Sequence, residues 1–464
     1  MTSPASECAD PNTLGKGLAS RHVAMISIGG IIGAGLFVGS SAAIAAVGPA
    51  IIVSYMLAGL VILCVMRMLG EMAAASPGVG AFTEFARLGL GNWAGFTTGW
   101  LYWFFWVVVV AIEAIAGAAI LQEWLPFEVW EIGLVLMVIM TVINLMSTRS
   151  YGEFEFWFAS LKVAAIIAFI AIGASYIFGF APVEDRGFDK LFTSQGGFAP
   201  FGVASILTGV TTVIFALCGA EIATIAAAES DEPAKTIGRM TTSVAVRIVL
   251  FYVLSMILIM AVVPWNEIVP GTSPFAEALD RIGVPATALI MKIIVLTAVL
   301  SCLNSGLYVT SRVLFTLAAR GDAPKSMVVL NKRRVPARAI LIGSLFGYAA
   351  VIASIISPTV VFAFLINASG ATMLVIYVLT AWAHIRLRRG IEATDPDRLT
   401  IKMWLFPWLS YAVIASILGV LVAMMFNPAL AVQLYASLFA VAVVLALYVF
   451  VRRRRPGVPA TITS

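Results

Sequence analysis

The sequence predicts an all-α polytopic membrane protein, and three observations carry that reading. Of 464 residues, 61% are hydrophobic and only 11% charged, with a mean hydropathy of +1.01. A soluble chain would carry roughly 25% charged residues. From about Arg21 to Arg455 the apolar residues form runs of spanning length, cut by short polar joints. The basic residues, finally, fall almost entirely on one side of the spans these runs define. A secreted, cytosolic or disordered chain is excluded, and so is a chain with a single anchor.

A spanning helix needs about 20 largely apolar residues. Twelve runs qualify, at roughly 22–46, 49–75, 94–122, 129–148, 155–179, 203–228, 241–264, 286–318, 337–357, 359–386, 403–426 and 430–451. Joints such as Ser76-Pro77-Gly78, Asp231-Glu232-Pro233 and Asn427-Pro428 supply the breaks. An even number of spans puts both termini on one face, and lysine and arginine concentrate on the cytoplasmic one. With a cytoplasmic N-terminus, that face receives 24 of the 29 basic residues. The outer face keeps four (Arg186, Lys190, Arg281, Lys292), and Lys162 falls inside a span. Residues 1–21 and 452–464 are then cytoplasmic tails.

The remaining composition narrows the chemistry. Cys8, Cys64, Cys218 and Cys302 lie far apart, with neither zinc-site nor disulfide spacing. His22 and His384 are the only histidines, so a His-rich metal site is not expected, and no metal or cofactor is implied. The net charge of +5 belongs to the cytoplasmic loops and not to a nucleic-acid surface. The polar stretch before Arg21 lacks the apolar core of a removable signal peptide.

The pattern inside the spans points to a site. Carriers built from inverted repeats bind at the midplane, where one helix of each repeat is interrupted. The first span contains Gly29, Gly30, Gly33 and Gly35, and each Gly costs a helix interior about 1 kcal/mol against Ala. Unwinding there exposes backbone N–H groups that suit a carboxylate; the competing reading is close packing of helices. The sixth span carries the matching anomaly, Phe215-Ala216-Leu217-Cys218-Gly219-Ala220-Glu221, with Gly219 placed 186 residues after Gly33. Two anomalies at corresponding positions favour a midplane site.

Three ionisable residues stand within spans, where charge is expensive and suggests function: Glu113, Lys162 and Glu221. Lysine gives up its proton more readily when buried, so Lys162 is a candidate for proton coupling. The alternative is that it snorkels to the cytoplasmic interface from near the start of the fifth span. Glu113 is either a site residue or a protonated acid bonded between helices. Glu221 contacts substrate or braces the broken sixth helix. Asn304 reads as a helix-joining residue with a possible coupling role, and Phe215 stands beside the sixth-helix break.

These segments resemble the amino acid permeases of the amino acid–polyamine–organocation superfamily. The resemblance rests on Gly30-Ile31-Ile32-Gly33-Ala34-Gly35-Leu36-Phe37, Gly70-Glu71-Met72 and Gly219-Ala220-Glu221. Within that superfamily the chain is most similar to bacterial gamma-aminobutyrate permeases, through Gly99-Trp100-Leu101-Tyr102-Trp103, Tyr151-Gly152-Glu153-Phe154-Glu155-Phe156-Trp157, Ser301-Cys302-Leu303-Asn304-Ser305 and Arg320-Gly321-Asp322. It implies a LeuT-like fold with two inverted five-helix repeats, residues 22–179 and 203–386, followed by two helices within 403–451. It implies backbone donors at Gly33, Ala34 and Gly35 for the substrate carboxylate, with Gly219 at the second break. The carbonyls of Ile31, Phe215 and Cys218 would take an α-amino group. Relatives often carry a hydroxyl residue where this chain has Ala34, and tryptophan where it has Phe215. Lys162 matches a lysine whose ammonium stands in for a sodium ion in proton-coupled relatives. For gamma-aminobutyrate, whose amine is three carbons from its carboxylate, the ammonium is expected near Glu113.

The expectation is therefore a bacterial inner-membrane symporter importing a small zwitterionic amino acid by alternating access, driven by protons, in contact with lipid and without an obligate protein partner. Its rivals are an amino acid exchanger and a permease for an aromatic, aliphatic or cationic amino acid. A membrane enzyme would need a Walker segment, HExxH or a cysteine cluster, which the sequence lacks. A nutrient sensor would need an output domain larger than the tails before Arg21 and after Arg455.

Overall fold

Within hydrocarbon a chain must satisfy its backbone polar groups internally, so long apolar runs become helices. The computed structural model describes residue 25 and residues 32–76, 82–146, 148–179, 188–193, 196–219, 221–222, 247–283 and 286–453. Among these residues the structure is helical, with no strand. The first span is represented by α1 (Ala34–Phe37) and α2 (Gly39–Val47), the second by α3 (Ile51–Ala75). A short amphipathic helix, α4 (Phe82–Leu90), leads into α5 (Asn92–Gln122), followed by α6 (Val129–Met146) and α7 (Thr148–Ile177). The second half contains α8 (Val203–Leu217), α9 (Leu254–Val262) entered through a π-helical turn at Ile248–Val253, and α10 (Pro274–Ile282). It continues with α11 (Thr287–Ala319), α12 (Ala337–Ala353), α13 (Pro358–Thr394), α14 (Trp408–Met425) and α15 (Pro428–Arg453).

Among the described residues, eight helices are long and apolar enough to cross a bilayer, counting Gly39–Ala75 as one run. Three shorter apolar helices, Val203–Leu217, Ile248–Val262 and Ala337–Ala353, accompany them. Helix falls within each of the twelve expected ranges, the first, sixth and seventh being described only in part and residue 147 of the fourth lying outside the described residues. The N-terminal tail, Ile31 and the end of the C-terminal tail lie outside the described residues.

Burial sorts the helices into centre and rim. The most apolar stretch of α5 is 78% buried, against 17% for that of α15. Accordingly α5 packs most extensively against α11 and α13. The large side chains left exposed, among them Trp157, Trp408, Phe426 and Phe439, sit on the outward faces of peripheral helices, as a lipid-facing rim requires. Several boundaries differ from the sequence reading: α13 runs to Thr394 instead of 386, and α14 begins at Trp408 instead of 403. The fifth span begins at Thr148 instead of 155, because Tyr151-Gly152-Glu153-Phe154-Glu155 continues the helix with Tyr151, Glu155 and Ala159 on one buried stripe.

Polar clamps close the ends. At one end of the bundle α10 starts with Pro274 and ends on a left-handed Gly283, and Phe275 packs edge-on against Phe37 of α1 at 5.0 Å. The Gly271 N–H donates to Ser41 Oγ of α2 (2.9 Å). At the opposite end Arg87 of α4 bonds Asp322 and Arg320 pairs with Glu84 (3.1 Å). Deeper in, the buried Glu71 carboxylate of α3 accepts from Arg388 Nη1 of α13 (3.0 Å) and from the Met403 N–H, with His384 Nε2 at 3.3 Å.

Removing one partner from such a buried pair leaves an uncompensated charge, at a cost of about 3–5 kcal/mol. Arg388→Met is therefore expected to lower the thermal unfolding midpoint of the detergent-solubilised protein, and Glu71→Gln added to it to recover part of the loss.

Candidate functional site

The first helix opens at Gly33. Its φ and ψ of −140° and −149° are extended, so the helical ladder restarts only at Ala34. Both flanks of the opening are held by side chains from other helices. The Ala34 N–H donates to the Glu113 carboxylate of α5, at 3.1 and 3.0 Å from its two oxygens. Lys162 Nζ of α7 donates to the Ile32 carbonyl at 3.0 Å. An anion on the exposed donor and a cation on the exposed acceptor replace the lost helical bonds. Lys162 is fully buried at the middle of α7, which rules out snorkelling.

Gly33 is required here for space. A Cβ at this position would lie 2.5 Å from Glu113 Oε1 and 2.8 Å from Cys302 Cβ. At Gly35 a Cβ would meet Ala216 Cα at 2.8 Å and the Phe215 ring at 3.0 Å. The two broken helices thus touch through glycine.

The sixth helix stops in the matching place. Cys218 is extended (ψ 155°) and Gly219 has φ +113°, a conformation that favours glycine. The last regular bond runs from Cys218 N–H to the Ile214 carbonyl (2.9 Å). The Gly219 N–H, which would close the next turn on Phe215, instead donates to the Glu221 carboxylate at 3.1 and 3.2 Å. Tyr377 of α13 donates to the same carboxylate (3.3 Å). Glu221 therefore braces the break in this conformation. The Ala216 carbonyl is taken by Tyr252 Oη (2.8 Å).

Gly35, Glu113, Phe215, Cys218 and Cys302, together with Phe105, Trp106, Val109 and Ala216, enclose a space of only about 10 Å³. That is the lower limit for a single water, so the centre is closed around Glu113. Toward the end of the bundle that holds α10, a crevice of about 500 Å³ reaches Val38, just beyond α1, with Glu123, Glu277 and Lys292 on its walls.

The structure brings Gly33, Ala34, Gly35, Glu113, Lys162, Phe215, Cys218 and Gly219 to the two breaks. Glu221 lies on the sixth break. Ile31 is outside the described residues. Asn304 is elsewhere: its Oδ1 accepts from Asn144 Nδ2 of α6 at 2.8 Å, joining two helices. Sequence reasoning missed Glu155, which is fully buried, lies 3.7 Å from Lys162 and accepts from Ser301 Oγ at 2.7 Å. Its seven-residue spacing from Lys162, two helical turns, was the available signal.

Interrupted helices facing each other at a closed centre are the geometry of a carrier, and comparison with known proteins agrees. The family model for amino acid permeases matches residues 22–456. The chain belongs to the amino acid permease family. It is 49% identical to the gamma-aminobutyric acid permease of Bacillus subtilis, over 95% of this chain and 94% of that one. It is 45% identical to a probable GABA permease of Pseudomonas aeruginosa, over 96% and 94%. An aromatic amino acid transport protein of Corynebacterium glutamicum is 38% identical, over 91% and 92%. Among solved structures, a manganese transporter of Eremococcus coleocola superposes with a TM-score of 0.55 at 12% identity, covering 94% of this chain and 95% of that one. That likeness shows the fold, which is LeuT-like. The chain is thus a membrane-spanning amino acid permease, a transporter and not an enzyme.

In this permease, Gly33→Ala puts a methyl group where Glu113 and Cys302 stand. The protein is expected to insert normally yet lose most amino acid uptake in membrane vesicles, while Ala34→Gly, which adds no atom, retains it.

Proposed function

We propose that the permease imports gamma-aminobutyrate across the bacterial cytoplasmic membrane, with one proton-linked group and by alternating access between two inverted five-helix repeats. Both termini face the cytoplasm in this reading. Support for the substrate comes from relatives at 44–49% identity that carry that name. Support for the orientation comes from the 24 basic residues that fall on one face.

The observation that carries the mechanism is the Glu113 carboxylate on the Ala34 N–H. A carboxylate is bound at the first-helix break by the protein itself, so the break accepts that chemistry. Gamma-aminobutyrate is a carboxylate and an ammonium joined by three methylene groups. On binding, its carboxylate takes the Ala34 N–H, and the displaced Glu113 turns to the ammonium. The closed centre then has to widen, with Phe215 moving off Gly35. An α-amino acid holds its two charges on one carbon and cannot span from Ala34 to a displaced Glu113 in this way.

Lys162 supplies the link to protons. As an ammonium it holds the Ile32 carbonyl. Without its proton it loses a charge-assisted bond worth roughly 1.5–3 kcal/mol, and the first helix is freed to move. The proton gradient is the energy source, with no cofactor.

Purified permease in liposomes with an acidic exterior is expected to concentrate labelled gamma-aminobutyrate, with unlabelled gamma-aminobutyrate competing better than any common α-amino acid. Stronger competition by phenylalanine or tyrosine would move the chain to an aromatic permease. Lys162→Ala is expected to abolish the dependence of uptake on the imposed pH gradient; uptake that still followed the gradient fully would remove Lys162 from coupling.

A further inference from the structure

Once Lys162 is a proton-linked group, its proton needs a way out to the cytoplasm, and the buried polar groups outside the binding site supply one. Glu155 lies on the same face of α7 as Lys162, with its Oε1 3.7 Å from Nζ and both side chains fully buried. Its carboxylate accepts from Ser301 Oγ at 2.7 Å and from Ser305, both on α11. The Ser305 hydroxyl is 3.1 Å from Tyr151 Oη. The Tyr151 ring stacks on Tyr308 at 4.2 Å, and Arg312 lies over the other tyrosine at 4.1 Å. A continuous line of exchangeable groups thus runs from Lys162 to Tyr151, three residues from the first residue of α7. Eleven residues of helix, about 16 Å at 1.5 Å per residue, separate its ends. Half the hydrocarbon core is about 15 Å. The line therefore reaches from mid-membrane to the end of α7 that faces the cytoplasm in the proposed orientation.

We propose that Glu155 is the proton-relay residue of this permease, taking the proton from Lys162 and passing it through Ser305 and Tyr151 to the cytoplasm. The inference rests on the proton-coupled reading of Lys162. When the first helix moves and the Ile32 carbonyl leaves Lys162, an Nζ–H bond breaks as a bond from hydrogen to Glu155 Oε1 forms. Lys162 becomes a neutral amine and Glu155 a neutral acid. Glu155 then gives its proton to Ser305 Oγ as Ser305 gives its own to Tyr151 Oη, and Tyr151, buried in this conformation, releases one to water admitted when the cytoplasmic side opens. Each hydroxyl gains one proton and loses one, and Glu155 returns to a carboxylate. Among the described residues, Glu113 from α5 and Cys302, Tyr308 and Arg312 from α11 also face this line. Arg312 at its inner end discourages the proton from lingering on Tyr151, since a second positive charge there is repelled.

A purely structural counter-ion and a relay part ways in two assays on the full chain in liposomes. Exchange of labelled for unlabelled gamma-aminobutyrate at equal pH needs no proton release, whereas net uptake driven by a pH gradient, followed with an internal pH dye, does. Glu155→Gln is expected to lower the ratio of net uptake to exchange by roughly a hundredfold, with Glu155→Asp recovering much of it. A Glu155→Gln ratio equal to the wild-type value, or equal loss of both activities in a correctly assembled protein, overturns the relay. Should that variant fail to assemble, Tyr151→Phe keeps the ring stack and removes only the hydroxyl; an unchanged ratio there also overturns the route. Failure of the underlying reading looks different: Lys162→Ala would keep gradient-driven uptake with its proton flux.

Discussion

A helix opened inside a bilayer leaves one N–H and one C=O with nothing to bond, and the rest of this structure depends on how that is met. At Ile32–Ala34 the donor goes to the Glu113 carboxylate and the acceptor to the Lys162 ammonium. Each is a charge-assisted bond in a medium where an unsatisfied group costs several kcal/mol. Both partners come from other helices, so α5 and α7 must pass close to the break. That fixes Gly33, because any side chain would occupy the Glu113 carboxylate's position. It also explains why an ammonium and a carboxylate, each prohibitive alone, are tolerated so near the centre.

The sixth helix meets the same demand with a local device. Glu221 reaches back to the Gly219 N–H and is itself bonded by Tyr377. The break is thereby tied to α13. Because Gly35 sits against Ala216 and Phe215, a movement at one break is felt at the other. The central space is no larger than a single water, while a larger crevice reaches Val38 just beyond α1.

Much of this was legible in the sequence, for identifiable reasons. Clustered glycines and lone ionisable residues stand out against an apolar background, so Gly33, Gly35, Gly219, Glu113, Lys162 and Glu221 could be singled out. The family motifs reinforced them. What was less legible lay where polar residues look like a loop. Tyr151-Gly152-Glu153-Phe154-Glu155 reads as a cytoplasmic joint, yet continues α7, which hid Glu155 and placed Lys162 too near an end. Glu71 was visible only as part of a motif; its partners Arg388 and the Met403 N–H come from more than 300 residues away in the chain, and no local pattern links them. That Glu113 would rest on the Ala34 N–H itself, instead of waiting for an ammonium, is a matter of tertiary distance that spacing does not encode.

The most direct test is a structure of the permease with gamma-aminobutyrate bound. The account predicts the substrate carboxylate within hydrogen-bond distance of the Ala34 N–H, with the Glu113 carboxylate rotated away to the substrate ammonium. Gamma-aminobutyrate bound elsewhere, with Glu113 still on Ala34, would contradict it.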